Sequence, residues 1–205
     1  RPVSFTVPTG NFGDVFAGYA AKRMGLPVER LVVATNENDI LERTLRTGRY
    51  DMEGVRATSS PSMDIEISSN FERLLFEAGG RDGAAVRRLM QQLAQGGGFA
   101  IPEETLARIR AEFDAGRTSE AETAETIRAY VDTTAYLLDP HTAVAVSVAD
   151  ARIADAPMIS LGTAHPAKFP AAVKEACGID PALPPSHAGL MTRGERFDVL
   201  PNDLT

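Results

Sequence analysis

Along this chain, short apolar runs alternate with longer stretches whose apolar residues recur every three or four positions. Val3 to Val7 is an apolar run of strand length, and Val15-Phe16-Ala17-Gly18-Tyr19-Ala20-Ala21-Lys22-Arg23-Met24 follows it with a helical pattern. Leu31 to Thr35 is short, apolar and β-branched, which predicts a second strand. Asn38-Asp39 then opens a helix that sends Ile40, Leu41 and Leu45 inward and stops at Gly48. Strand, helix, strand, helix at this spacing predicts an α/β fold on a parallel sheet. Ser60 to Ser68 reads as a loop with a proline turn. Asn70 caps a further helix with Phe71, Leu74, Leu75 and Ala78 on one face, ended by Gly79-Gly80.

Residues 81–134 change character and read as three helices. Val86, Leu89, Met90 and Leu93 mark the first, which Gly96-Gly97-Gly98 breaks. Pro102 opens the second, with Glu103-Glu104 in its first turn and a stripe of Leu106, Ile109 and Phe113 before Gly116. Ser119-Glu120-Ala121-Glu122 is a capping box for the third. The expectation is an all-helical insertion, 81–134, that contributes no atom to the chemistry. It interrupts an α/β domain made of 1–80 and 135–205. Thr142 to Ile153 is apolar enough for a helix packed on both sides, Met158 to Leu161 is a short strand, and Pro170 opens a helix that Gly178 ends after Cys177. From Asp180 onward proline, glycine and polar residues predict irregular structure.

Composition narrows the partners. A net charge of −7 over 205 residues disfavours nucleic acid and anionic membranes. The single cysteine, Cys177, excludes an internal disulfide framework and fits a reducing, cytoplasmic setting, where it reads as buried filler. No apolar stretch is long enough to span a bilayer.

The candidate chemistry begins at Pro8-Thr9-Gly10-Asn11-Phe12-Gly13-Asp14, between the first strand and the first helix. Glycines let a backbone approach a ligand closely, and the first N–H groups of a helix have no internal partner, so such a turn can face a phosphate. It is neither the three-glycine dinucleotide fingerprint nor a Walker loop. Read alone it is equally a tight connection, in which Asn11 tolerates a left-handed turn and Asp14 caps the helix.

Other segments join it in a fixed order: Ala34-Thr35-Asn36-Glu37-Asn38-Asp39, Thr47-Gly48-Arg49-Tyr50, Ser60-Pro61-Ser62-Met63-Asp64-Ile65 and Ser69-Asn70-Phe71-Glu72-Arg73-Leu74-Leu75. Asp139-Pro140-His141-Thr142-Ala143-Val144 and Thr163-Ala164-His165-Pro166-Ala167-Lys168-Phe169 complete the series. Together they resemble threonine synthases of the microbial and fungal type, over most of the chain. The resemblance implies a pyridoxal-phosphate lyase of fold type II, with a tryptophan synthase β-like parallel sheet. Its substrate would be O-phospho-L-homoserine, whose phosphate leaves while water adds at the β carbon to give threonine.

On that resemblance Gly10, Asn11, Phe12, Gly13 and Asp14 cradle the cofactor phosphate, and Thr163 meets the pyridine nitrogen, leaving it largely unprotonated. Candidates for the substrate are Asn38, Asp39, Arg43, Arg49 and His141, with Arg46 read more readily as an ordinary surface charge. His165 could orient its loop, and the histidines lack the spacing of a metal site. The family's Schiff-base lysine, in a Ser-Phe-Lys-Asp type motif upstream of the loop, has no counterpart here. Lys22 and Lys174 fall on amphipathic helices, and Lys168 lies in a different motif. The chain is therefore expected to be the C-terminal portion of an active enzyme. Its oligomeric state stays open, a monomer being compatible. Competing expectations are another enzyme of the same fold group, such as a threonine dehydratase, or a protein that binds the cofactor without turnover.

Overall fold

A computed structural model describes residues 1–152 and 156–203. In chain order its elements are β1 (Val3–Pro8), α1 (Gly13–Arg23), β2 (Val28–Thr35), α2 (Ile40–Thr47), β3 (Arg49–Asp51), α3 (Phe71–Ala78) and α4 (Gly83–Gly96). Then come β4 (Gly98–Ala100), α5 (Glu103–Glu112), β5 (Phe113–Arg117), α6 (Glu120–Thr134), α7 (Pro140–Asp150), β6 (Met158–Ser160) and α8 (Pro170–Cys177). The main sheet has the order β5-β2-β1-β6, and each neighbouring pair is parallel.

The apolar patterns bury as their periods dictate. α2 buries Ile40, Leu41 and Leu45, and Gly48 ends it in the left-handed region at φ 79°. One side of the sheet carries a large core that joins Val7, Leu31 and Val33 to Val15, Tyr19, Phe71, Leu74 and Ile109. On the other side Val144, Ala145 and Val148 of α7 meet Val32 and Ala34. The remaining face of α7 packs Ala143 and Val146 against Ile127 and Ala176, beneath α6 and α8. The helix expected over 142–153 is thus packed on both sides, and its last expected residue, Ile153, lies outside the described residues.

Residues 81–134 are not all-helical. The three expected helices form, and α6 carries its capping box between Ser119 and Glu122. Between them, β4 pairs antiparallel with β3, and the Tyr50 and Phe99 rings stack at 5.0 Å. β5 is an edge strand of the main sheet, with Phe113 opposite Leu31 and Arg117 opposite Thr35. Within the segment, Phe113–Arg117 thus belongs to the main sheet and Gly98–Ala100 to a second, two-stranded one. Gly116 permits close packing where a helix stop was expected. A Cβ there would stand 2.7 Å from Val148 Cγ1 and from Arg152 Nη1. Among the described residues no helix is long and apolar enough to cross a membrane.

Candidate functional site

β1 lies inside the sheet with β6 beside it, so the chain leaves both strands at one edge. The Leu161 N–H donates to the Thr6 carbonyl at 2.9 Å, extending the pairing toward that exit. Gly10–Asp14 follows β1, and Gly162-Thr163 follows β6 with Thr163 exposed. Ligands of open α/β sheets gather at such C-terminal strand ends.

The turn's hydrogen bonds run in one direction. Its carbonyls face the protein: Gly10 O accepts from Ser68 Oγ at 2.9 Å, and Asn11 O accepts from both the N–H and the side-chain amide of Asn70 at 3.0 Å. Phe12 O accepts the Phe16 N–H at 3.2 Å. The Gly13 N–H donates to Asn11 Oδ1 at 3.0 Å, an Asx turn that uses the side chain as an internal brace. The N–H groups of Asn11, Phe12 and Asp14 donate to no acceptor among the described residues. A turn with its acceptors satisfied and its donors free, at the start of an eleven-residue helix, is suited to an anion.

The left-handed residue is Phe12, at φ 68°, and not Asn11. An aromatic residue in that region is uncommon, and the surrounding core compensates it. The Phe12 ring is fully buried, edge-on to Phe71 at 5.3 Å and 5.7 Å from Phe113. Phe12 therefore offers a ligand only its main chain. Asp14 does not cap α1, whose N-cap position is Phe12 and has no side-chain hydrogen bond. Gly10 is needed for space, because a Cβ there would stand 2.8 Å from the Ser62 carbonyl oxygen and 3.2 Å from Met63 Cα.

The turn from Pro61 to Met63 that presses on Gly10 is held from two sides. Toward β2, Asp64 Oδ1 accepts from the amides of Asn36 and Asn38, both at 2.8 Å, and from Thr58 Oγ1 at 2.6 Å. Asp64 Oδ2 accepts the Thr58 N–H at 2.8 Å. Toward α7, His141 Nε2 accepts the Ser62 N–H at 3.2 Å, and its ring lies 4.6 Å from that of Phe169.

Asp139, 1% exposed, caps α7 by accepting the N–H groups of His141 at 2.9 Å and Thr142 at 3.4 Å. It also faces His141 Nδ1 at 3.1 Å and accepts the Thr142 hydroxyl. Burial pushes the Asp139 carboxyl up. The hydrogen bonds from His141 and Thr142 outweigh that and hold it below its ordinary 3.8. The unfolded chain thus binds this proton more readily. The stabilisation is complete above that ordinary value and disappears as pH falls through the lower folded-state value. Asp139→Asn is expected to remove this part of the acid unfolding and to cost about 1–3 kcal/mol at neutral pH, read from urea unfolding across a pH series.

Asn38 braces its surroundings, giving its amide to Arg56 O at 2.9 Å and accepting the Arg56 N–H at 2.8 Å, besides holding Asp64. Asp39 pairs with Arg43 Nε at 2.8 Å and Arg117 Nη1 at 3.5 Å. Arg43 also reaches Asp51 O at 3.1 Å and Glu53 at 2.8 Å. Arg49 lies on the surface, paired with Asp51 at 2.7 Å. Asp39 and Arg43 line one cleft together with Arg56 and Arg117, two residues that periodicity did not single out. The His141 ring is 3% exposed with both nitrogens engaged, so it has no free polar atom for a substrate. His165 Nδ1 accepts the Ala167 N–H at 3.1 Å and orients its turn. Among the described residues no cluster of three or more His, Cys, Asp or Glu could hold a metal.

An open parallel sheet with helices on both faces and a glycine-bounded turn after an inner strand is the α/β architecture of the pyridoxal-phosphate enzymes of fold type II. A family model described as "Threonine synthase, C-terminal" matches residues 142–205. The chain is 50% identical over 207 residues to a threonine synthase of Pseudomonas aeruginosa, covering 100% of this chain and 44% of that protein. The crystal structure of a PLP-bound threonine synthase from Brucella melitensis superposes with a TM-score of 0.96 at 63% identity, over 100% of this chain and 44% of that one. The yeast threonine synthase structure gives 0.87 at 42% identity, over 95% of this chain and 43% of that one. The chain belongs to the threonine synthase family, and it spans under half the length of these relatives.

Proposed function

We propose that this chain supplies the cofactor-phosphate loop and central sheet of a threonine synthase, a lyase converting O-phospho-L-homoserine and water to L-threonine and phosphate. The observation that carries the reading is the Gly10–Asp14 turn, with its carbonyls turned into the protein and the N–H groups of Asn11, Phe12 and Asp14 left free. Those donors fit the phosphate of pyridoxal phosphate, and the start of α1 adds the positive end of its dipole. Backbone dipoles let a chain of net charge −7 hold an anion locally. Bound there, the cofactor supplies the electron withdrawal that lets bonds at the substrate's carbons break and the phosphate depart.

The remaining tasks fall to this chain's side chains. We assign Thr163, exposed beyond β6, to the pyridine nitrogen as a neutral partner. The cleft that Asp39 and Arg43 share with Arg56 and Arg117, next to Asn38, is assigned to the substrate's phosphate, because a guanidinium matches phosphate oxygens with its forked donors. We assign the attachment of the cofactor to none of the three lysines of this chain. Lys22 pairs with Glu112 at 2.6 Å, Lys174 pairs with Asp180 at 2.8 Å, and Lys168 stands 5.8 Å above the Phe169 ring. A biosynthetic role and the lone Cys177 favour the cytoplasm.

The test is phosphate release from O-phospho-L-homoserine by the full-length protein with pyridoxal phosphate. Threonine and phosphate are expected in equal amounts, with loss of turnover when the cofactor is removed. Cofactor binding without phosphate release would reduce the protein to a binder. Thr163→Ser is expected to change turnover little. Thr163→Asp is expected to hold the ring nitrogen protonated, shifting the bound cofactor's absorption spectrum and lowering turnover.

A further inference from the structure

His141 stands where three segments of the sheet edge meet. Its Nε2 takes the Ser62 N–H at 3.2 Å, and the Ser62 carbonyl oxygen is the atom that a Cβ on Gly10 would meet at 2.8 Å. Its ring packs at 4.6 Å on Phe169, in the segment that follows Thr163. A backbone N–H can only donate, so Nε2 must accept and carries no proton. The ring proton then sits on Nδ1, where Asp139 Oδ1 waits at 3.1 Å, itself fixed as the N-cap of α7. A carboxylate on one nitrogen thus selects the tautomer that the other nitrogen needs.

We propose that His141 is a positioning residue for the phosphate loop. In its Nδ1–H form, set by Asp139, it holds the Ser62 N–H and thereby the turn that walls the loop at Gly10, while its contact with Phe169 ties in the segment after Thr163. The proposal rests on the reading of Gly10–Asp14 as the cofactor-phosphate site. It assigns the ring no contact with substrate, which agrees with its burial and its two engaged nitrogens.

Two substitutions separate the halves of the device. In His141→Asn the amide nitrogen falls where Nδ1 was, keeping the Asp139 contact and losing Ser62. In His141→Gln the side-chain oxygen can reach the Nε2 position and accept the Ser62 N–H. In the full-length protein, His141→Asn is expected to weaken pyridoxal-phosphate binding about tenfold and to speed amide exchange at Ser62. His141→Gln is expected to stay within about threefold of the wild type, with the Ser62 amide still protected. Equal affinities for the two variants, or unchanged Ser62 exchange in His141→Asn, would overturn the proposal. If His141→Asn does not fold, the ring 15N shifts of the wild-type protein decide. A protonated Nδ1 with a bare Nε2 at neutral pH supports it, and a protonated Nε2 overturns it. A wild-type protein that binds no pyridoxal phosphate would defeat the cofactor reading, while Ser62 exchange and the ring shifts would still judge the role of His141.

Discussion

Replacing Phe12 with alanine is expected to destabilise the protein by about 3–5 kcal/mol, the usual cost of emptying a buried aromatic site. The ring is fully buried at the junction of Phe71 and Phe113, so its removal opens a cavity beneath the loop. It is also what holds the left-handed backbone at φ 68°, so the loop loses its anchor along with the core contact. Phe12→Gly would relieve the left-handed strain, worth about 1 kcal/mol, yet leave the cavity. Both variants should lower the urea midpoint, with the glycine variant marginally the less affected. A midpoint unchanged in Phe12→Ala would show that the ring is not anchoring the loop.

Gly10→Val is expected to act on the ligand as well as on the fold. The added Cβ meets the Ser62 carbonyl oxygen at 2.8 Å and Met63 Cα at 3.2 Å, both main-chain atoms that cannot rotate aside. Either the loop or the turn from Pro61 to Met63 must move. That turn is fastened to Asp64 by Asn36 and Thr58, and to His141 through Ser62. The loop, with free donors on its outer side, is the part that yields. We expect pyridoxal-phosphate affinity to fall by about a hundredfold, near 2.7 kcal/mol, measured by cofactor fluorescence on the full-length protein. Gly13→Val should be milder. Its Cβ would stand 3.1 Å from Asn11 Oδ1, a side chain able to swing away at the cost of the Asx turn.

The sequence announced whatever depends on near neighbours. β1 and α1 around the turn, α2 with its Gly48 stop, the capping box of α6 and the two-sided burial of α7 all follow from local period and end chemistry. β5 escaped because it follows α5 with no turn residue between them, and because Gly116 serves packing against Val148 and Arg152. β3 and β4 are three-residue strands that pair only after α3 and α4 have intervened, so no local pattern marks them. At the candidate site, the glycine turn was legible as a motif. The left-handed position was not, because the preference of Asn11 for that conformation yields to the burial gained by the Phe12 ring. The bracing roles of Asn38, Asp64 and His141 depend on partners far along the chain, as with Ser62 and His141, 79 residues apart.

On the proposed reading, Gly10–Asp14 holds the cofactor's phosphate through its backbone. A crystal structure of the full-length protein with pyridoxal phosphate decides this. Phosphate oxygens are expected about 2.9 Å from the N–H groups of Asn11, Phe12 or Asp14, with the Thr163 hydroxyl at the pyridine nitrogen. A cofactor phosphate seated elsewhere, with those N–H groups turned to solvent, would contradict it.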